Sequence, residues 1–361
     1  MSKAVIAGLG IQGAAIAYGM SAFGYEVVGI DISPDTAGAS TEFLHKLGVP
    51  ITAIAGDASS FIAAIQSPQS CDVLVSALPF RFNTDLARLC IERGIRYCDL
   101  GGNIHTSNRI RELAENRARL PVMTDLGLAP GIANIIAELG YRKLEQADTV
   151  RIRVGGLPVN PKGTLRYGLT FSPQGLFNEY HDECLVIRNG KIRTVDPLGE
   201  IEHIHFEGLG ELEAFTTSGG IAGTLETMLA RGVKECDYKT IRFPGHADFV
   251  RFMLFECGMD LDSFSEAVTN VCGFITQDQV LIDIDVSHSR RQTSWTKRAR
   301  ILHDDNFTAM QKTTGFGAAA VAAILGSGKM DGKPYPLYAD VPADEFIENM
   351  NALIPELALG S

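Results

Sequence analysis

The run Gly8-Leu9-Gly10-Ile11-Gln12-Gly13 places glycines at its first, third and sixth positions, directly after the apolar segment Ala4–Ala7 and before an alanine-rich stretch. That spacing suits a phosphate cradle. The first glycine permits a tight turn, the second lets the backbone approach a pyrophosphate, and the third lets a helix pack closely on a strand. The helical turn opened by Ile11 and Gln12 offers unpaired N–H groups to phosphate oxygens. Asp31 ends the next apolar run about 20 residues on, where a carboxylate accepts from both adenosine ribose hydroxyls and repels a 2′-phosphate. No arginine follows in Ile32-Ser33-Pro34-Asp35, so NAD is expected and NADP is disfavoured. Asp57 is expected either to flank the adenine or to cap a helix at Ala58-Ser59-Ser60. Ala77, Leu78 and Pro79, and then Asp99 and Gly101, follow the fourth and fifth apolar runs, where ligands bind in open α/β sheets; they are expected to border the nicotinamide.

The elements that position these residues alternate. Short apolar runs at Ala4–Ala7, Val27–Asp31, Ile51–Ala55, Val73–Ala77, Arg96–Leu100 and Val122–Asp125 are separated by stretches of helical periodicity. This predicts an α/β fold with a doubly wound parallel sheet of the Rossmann type over residues 1–128. After Pro130-Gly131 a helix over Ile132–Leu144 leads into longer strands at Thr149–Val154, Cys184–Arg193 (turning at Asn189-Gly190), Lys239–Phe243, Val280–Val286 and Trp295–Leu302. Helices are predicted at Gly223–Arg231, Ala247–Cys257 and Leu261–Val271, making residues 129–314 a second α+β domain with an antiparallel layer. A small-residue helix over Gly315–Leu325 and an irregular proline-rich tail are expected to return to the first domain, so that 315–361 joins it. At 361 residues, two cores are the natural expectation.

Composition narrows the function. A net charge of -11 disfavours a nucleic-acid partner. Seven cysteines, with no C-x-x-C pair, suit reduced thiols and a cytoplasmic location. The uncharged run Ala4–Tyr25 is long enough to raise a membrane span, but the interruption by Gly8, Gly10 and Gly13 and the strand that follows argue against one.

The chain resembles the saccharopine dehydrogenase family, and within it the lysine 6-dehydrogenases most. The resemblance covers most of the sequence and rests on an ordered set of segments: Gly8–Gly13, Tyr97-Cys98-Asp99-Leu100-Gly101-Gly102, Asp125–Gly131, Val154-Gly155-Gly156-Leu157-Pro158, Ile187-Arg188-Asn189-Gly190, Glu213–Gly220 and Tyr238–His246. It implies NAD(P)-dependent chemistry at a C–N bond of an amino acid, and a second domain like the carboxy-terminal domain of glyceraldehyde-3-phosphate dehydrogenase. It also implies a homo-oligomer, dimer or tetramer.

Oxidising an amine by hydride transfer needs a neutral nitrogen, and therefore a base. Asp99, Asp125, Lys239 and His246 are the candidates. Arg242, read as sharing the strand face of Lys239, is expected to hold a substrate carboxylate bidentately, with Thr216, Thr217 and Ser218 as neutral donors. Each has a plainer alternative: a helix-terminal histidine, a surface strand lysine. His203 and His205 share a strand face but lack a third ligand, so no metal is expected. Cys98 beside Asp99 is a poor nucleophile, since the carboxylate raises its pKa. Trp295 and the row Phe249, Phe252, Phe255 read as core or interface packing.

The leading expectation is oxidative deamination of the lysine side-chain amine to a semialdehyde that cyclises. A saccharopine-type or carboxynorspermidine-type reductase, joining an amine and an aldehyde, is the alternative, and an NAD-sensing binding protein without turnover is a second. A two-carboxylate substrate asks for more cations than Arg242, for which Arg81, Arg153, Arg166 and Lys162 are available.

Overall fold

Parallel strands covered by helices on both faces need continuous apolar runs, and the first six strands have them. They are β1 (Lys3–Ala7), β2 (Glu26–Asp31), β3 (Ile51–Ala55), β4 (Val73–Ser76), β5 (Arg96–Asp99) and β6 (Val122–Met123). Between them run α1 (Ile11–Ala22), α2 (Pro34–Lys46), α3 (Ala58–Ala64), α4 (Asn83–Arg93) and α5 (Ile104–Arg117). The strand order is β3-β2-β1-β4-β5-β6, all pairs parallel. This is the doubly wound order whose switch point lies between β1 and β4. The computed structural model describes residues 2–65, 71–221 and 223–360, and the chain divides into one unit of residues 1–132 with 311–361 and another of 133–310.

The second unit opens with α6 (Ile132–Leu144), followed by β7 (Thr149–Pro158), α7 (Pro173–His181), β8 (Cys184–Arg188), β9 (Lys191–Val195), β10 (Glu202–Phe206) and β11 (Gly210–Thr216). Then come α8 (Thr224–Ala230), β12 (Glu235–Arg242), α9 (His246–Arg251), α10 (Leu261–Cys272), β13 (Asp278–His288) and β14 (Thr293–Leu302). Its eight-stranded sheet has the order β10-β11-β12-β7-β13-β14, with β8 pairing β12 and β9. The expected antiparallel layer is in fact mixed. β12 runs parallel to β7, with Cys236 opposite Val150 and Thr240 opposite Val154. A parallel neighbour requires a long crossover, and residues 159–234 between the two strands supply it.

Two helices escape the sequence reading. The stretch at Pro173–His181 forms α7, started by Ser172, whose hydroxyl accepts from Gly175 N–H with Pro173 in the first turn. The tail is not irregular throughout: α11 (Gly317–Gly326) is followed by α12 (Ala343–Leu353), which buries Phe346 and Met350. The helix expected over Ala247–Cys257 is α9, continued by a π turn at Phe252–Glu256. That turn leaves Phe249, Phe252 and Phe255 about half exposed rather than in the core. Among the described residues no helix is long and apolar enough to cross a membrane.

Candidate functional site

In the first unit, Gly8 takes φ +89° and donates its N–H to Ile30 O, fixing the turn between β1 and α1. A Cβ on Gly13 would come within 1.8 Å of Gly8 O, so only glycine lets α1 pack on that turn. Gly10 differs: a Cβ there would meet nothing within 4 Å. Gly10 also starts α1 without a side-chain cap, which leaves the first-turn N–H groups around Ile11, Gln12 and Gly13 without helical partners. The Gln12 side-chain oxygen is buried with no hydrogen-bond partner. Open space at the second glycine and uncapped amides fit a dinucleotide pyrophosphate.

Asp31 lies across the loop, its carboxylate accepting from Leu9 N–H at 2.8 Å and Ser33 N–H at 2.9 Å. Those bonds use one lone pair on each oxygen and leave acceptor capacity for ribose hydroxyls. Ala77 N–H donates to Ala7 O, and a Cβ on Gly8 would sit 3.1 Å from both Ala77 O and Leu78 Cδ2, so the loop after β4 adjoins the glycine turn. Pro79 follows it, exposed. Asp57 is the N-cap of α3, accepting from Ser60 N–H and hydroxyl, which hold its carboxyl below the usual range.

Asp99 and Asp125 come together at the carboxyl ends of β5 and β6. Asp99 accepts from the Tyr97 hydroxyl at 2.9 Å, Gly101 N–H at 2.8 Å and Asp125 N–H at 3.2 Å. Asp125, at φ +63°, accepts from the Ser107 and Thr124 hydroxyls, both at 2.8 Å. Burial raises both carboxyl pKa values, and the charge of Asp125 raises that of Asp99 further. Cys98 beside them is buried, its thiol pushed well up by burial and then by Asp99.

In the second unit β12 separates two clusters. Lys239 and Arg242 are three residues apart, so alternation puts them on opposite faces rather than on the shared face expected from the sequence. The Lys239 ammonium donates to Glu200 O and to Glu202 at 3.0 Å. It belongs to a network in which Arg153 pairs with Glu202 and Asp237, and Arg188 with Asp237 and Glu200. Thr216, opposite Lys239, gives its hydroxyl to Asp196 O and accepts from Gly199 N–H.

The other face carries Arg242, 3% exposed. Its Nε donates to the Tyr180 hydroxyl at 2.9 Å, and its guanidinium carbon stands 4.8 Å from the centre of the Tyr167 ring. Tyr180 lies 3.0 Å from His246 Nε2, whose Nδ1 lies 3.1 Å from Leu165 O. A carbonyl only accepts, so Nδ1 carries the proton, Nε2 accepts from Tyr180, and the chain runs Arg242 to Tyr180 to His246 to Leu165. Burial, then the Arg242 charge, pushes the His246 pKa down to about 3, so the imidazole is neutral and its lone pair engaged. Thr217 pairs with Thr240 at 2.7 Å, and Ser218 N–H donates to Glu179 O at 2.9 Å. Thus Arg242, His246, Thr217 and Ser218 gather on one side of β12, while Lys239 and Thr216 fall on the other.

Three further residues of the Arg242 cluster, Glu179, Tyr180 and Tyr167, were not read from the sequence. Ser172-Pro173 is a helix start, and Leu176 and Tyr180 at i and i+4 mark its buried face, a signal that would have found α7. His203 pairs with Glu211 at 3.3 Å, across the strand pair β10–β11.

Residues 4–123 match the saccharopine dehydrogenase NADP binding domain, and residues 127–352 match the saccharopine dehydrogenase C-terminal domain. The fold is similar to that of saccharopine dehydrogenase (L-Glu forming) from Saccharomyces cerevisiae, at a TM-score of 0.76 and 14% identity, with 97% of each chain covered. A weaker likeness, TM-score 0.44 at 13% identity, covers 99% of this chain and 95% of a myo-inositol dehydrogenase from Corynebacterium glutamicum. Two domain matches that together span nearly the whole sequence, in the order the motifs required, show that the chain belongs to the saccharopine dehydrogenase family.

Proposed function

We propose that this protein is an NAD-dependent amino-acid dehydrogenase that oxidatively deaminates the side-chain amine of lysine or a close analogue. The observation that carries the reading is Arg242: a guanidinium buried to 3% exposure, oriented by Tyr180 and by Ile241 O, and suited to a substrate carboxylate. Gly8, Gly10, Ile11, Gln12 and Gly13 would hold the pyrophosphate and Asp31 the adenosine ribose, with Asp57 toward the adenine. Ala77, Leu78, Pro79, Asp99 and Gly101 would border the nicotinamide. The nicotinamide, when bound, supplies the hydride acceptor.

The chemistry left to the chain is to fix the substrate and take its proton. As the C–H electron pair departs, the nitrogen lone pair forms C=N, and the N–H proton must go to a base. Of the four candidates, the Lys239 ammonium is committed to Glu202 and Glu200 O, and the His246 lone pair to Tyr180. Asp99 and Asp125, carboxyls whose pKa values are raised by burial, are the assigned pair. Water then releases ammonia and leaves an aldehyde, on which the α-amine closes. Thr217 and Ser218 remain as donors near Arg242, whereas Thr216 is held by the backbone at Asp196 and Gly199.

A saccharopine-type substrate would need a second cation for its further carboxylates. Of the cations available for that role, Arg153 is tied to Glu202 and Asp237, which leaves Arg81, Arg166 and Lys162. Half-exposed Phe249, Phe252 and Phe255 support a homo-oligomer, and unbonded cysteines support a reducing, cytoplasmic setting. The test is a panel of amines, and of keto acid plus amine pairs, assayed for NADH change with NAD and NADP. Turnover of L-lysine with NAD is the expected result, and turnover only of the paired substrates would support the reductase.

A further inference from the structure

Glu179 stands in the last turns of α7 with its carboxylate 4.0 Å from Arg242 Nη2, too far for a hydrogen bond. Its side chain is 28% exposed, and among the described residues neither that carboxylate nor Nη2 has a hydrogen bond. Two neutral groups nearby are underused as well. The Tyr167 and Thr170 hydroxyls are buried and make no hydrogen bond of good geometry, although the Tyr167 ring lies against the Arg242 guanidinium. A carboxyl group, the Nη2 end of a guanidinium and two buried hydroxyls without a hydrogen bond of good geometry are thus gathered around the Tyr167 ring. Buried polar groups normally find partners, so two orphaned hydroxyls beside a guanidinium with a free Nη2 point to an absent ligand.

The ligand these groups would satisfy carries a carboxylate and an ammonium on neighbouring atoms. We propose that Glu179 and Arg242 form a receptor for the α-amino-carboxylate head of an amino acid: Arg242 takes the carboxylate, Glu179 takes the α-ammonium, and the Tyr167 and Thr170 hydroxyls complete the shell. The proposal rests on the amino-acid reading above and adds a selection rule to it. The head is held by both of its charges, so a substrate that lacks the α-ammonium, such as 6-aminohexanoate, or the carboxylate, such as cadaverine, loses half of the grip. Glu179 is then a specificity residue, distinct from the base that takes the proton of the reacting amine.

The test uses a ligand that cannot react. L-Norleucine has the α-amino-carboxylate head but no side-chain amine, and hexanoate has the carboxylate alone. Calorimetry with NAD present should show the wild-type protein binding L-norleucine about 10- to 100-fold more tightly than hexanoate, the range for a hydrogen-bonded charge. Glu179→Gln should erase that preference and leave hexanoate binding unchanged. Retained stabilisation by NAD in thermal melts reports that the variant is folded. Thr170→Val, a milder change in the same shell, should weaken L-norleucine several-fold and serves if Glu179→Gln does not fold. A preference for L-norleucine that persists in Glu179→Gln, or its absence from the wild type, overturns the proposal. Turnover is a separate outcome. Selective L-norleucine binding without lysine oxidation sinks the reaction and sustains the receptor, whereas lysine oxidation without that binding sinks the receptor alone.

Discussion

The chain Arg242–Tyr180–His246–Leu165 makes a quantitative prediction about how the carboxylate anchor is held. Tyr180 is fully buried, and its one hydroxyl serves two groups: it accepts from Arg242 Nε at 2.9 Å and donates to His246 Nε2 at 3.0 Å. Tyr180→Phe leaves the ring in place and removes only that oxygen, stranding a charged donor and a neutral acceptor. Each buried group left unsatisfied costs about 1–3 kcal/mol, so the substitution, which strands two, should destabilise the protein by about 2–6 kcal/mol. His246→Leu breaks the same link from the other end. If the link is real, the two losses cannot add, and the double variant should be less destabilised than their sum by about 0.5–3 kcal/mol. Chemical denaturation of the wild type, both single variants and the double variant gives all four corners. The free arginine should also wander, so Tyr180→Phe should raise KM for the amino-acid substrate more than it lowers kcat. Additive losses within about 0.5 kcal/mol would refute the linked chain.

The glycines of the loop should separate by role. Gly10→Val should keep the melting temperature of the free protein but lose the stabilisation by NAD, whereas Gly13→Ala should lower the melting temperature itself, because its Cβ would lie 1.8 Å from Gly8 O. Asp31→Ser with an arginine introduced nearby should shift the ratio of kcat/KM values from NAD toward NADP, and equal use of both nucleotides by the wild type would contradict the assigned role of Asp31. Burial pushes the Glu179 pKa up from 4.5 to about 7, so folding favours its neutral form. The associated stability is fully present below about pH 4.5 and is lost as pH rises through 7. Glu179→Gln, neutral at every pH, should therefore melt higher than the wild type at pH values above 7 and no higher below 4.5, and a difference independent of pH would contradict the assignment.

The first unit was legible because its signals are local. Gly8, Gly10 and Gly13, Asp31 and the six apolar runs each carry their meaning within a few residues, and the parallel order follows from their alternation. The second unit depends on pairings that no local pattern records. The parallel neighbours β7 and β12 are separated by residues 159–234, and nothing in Tyr238–Phe243 announces that partner. Misplacing Lys239 on the face of Arg242 was a failure of counting, which the strand period of two corrects. Glu179 and Tyr180 were invisible for another reason: the start signal Ser172-Pro173 lay in a stretch given no element, so the residues that bond and flank Arg242 had no helix to stand on. The tail misled through composition, its prolines suggesting irregular wrapping where Pro342 instead precedes α12. His246 was read as a candidate base, and its lone pair is engaged by a tyrosine 66 residues away in sequence.

The central claim is that the protein moves hydride from the carbon bearing an amino acid's side-chain amine to NAD. Initial-rate NADH formation from L-lysine, with the cyclic imine product identified by mass, tests it most directly. The account predicts NADH and imine in equal amounts, with NAD used at a kcat/KM at least about tenfold above that for NADP, a difference of about 1.4 kcal/mol. Absence of NADH from L-lysine, together with nucleotide oxidation when an amine and a keto acid are supplied, would contradict it and assign the protein to amine–carbonyl condensation instead.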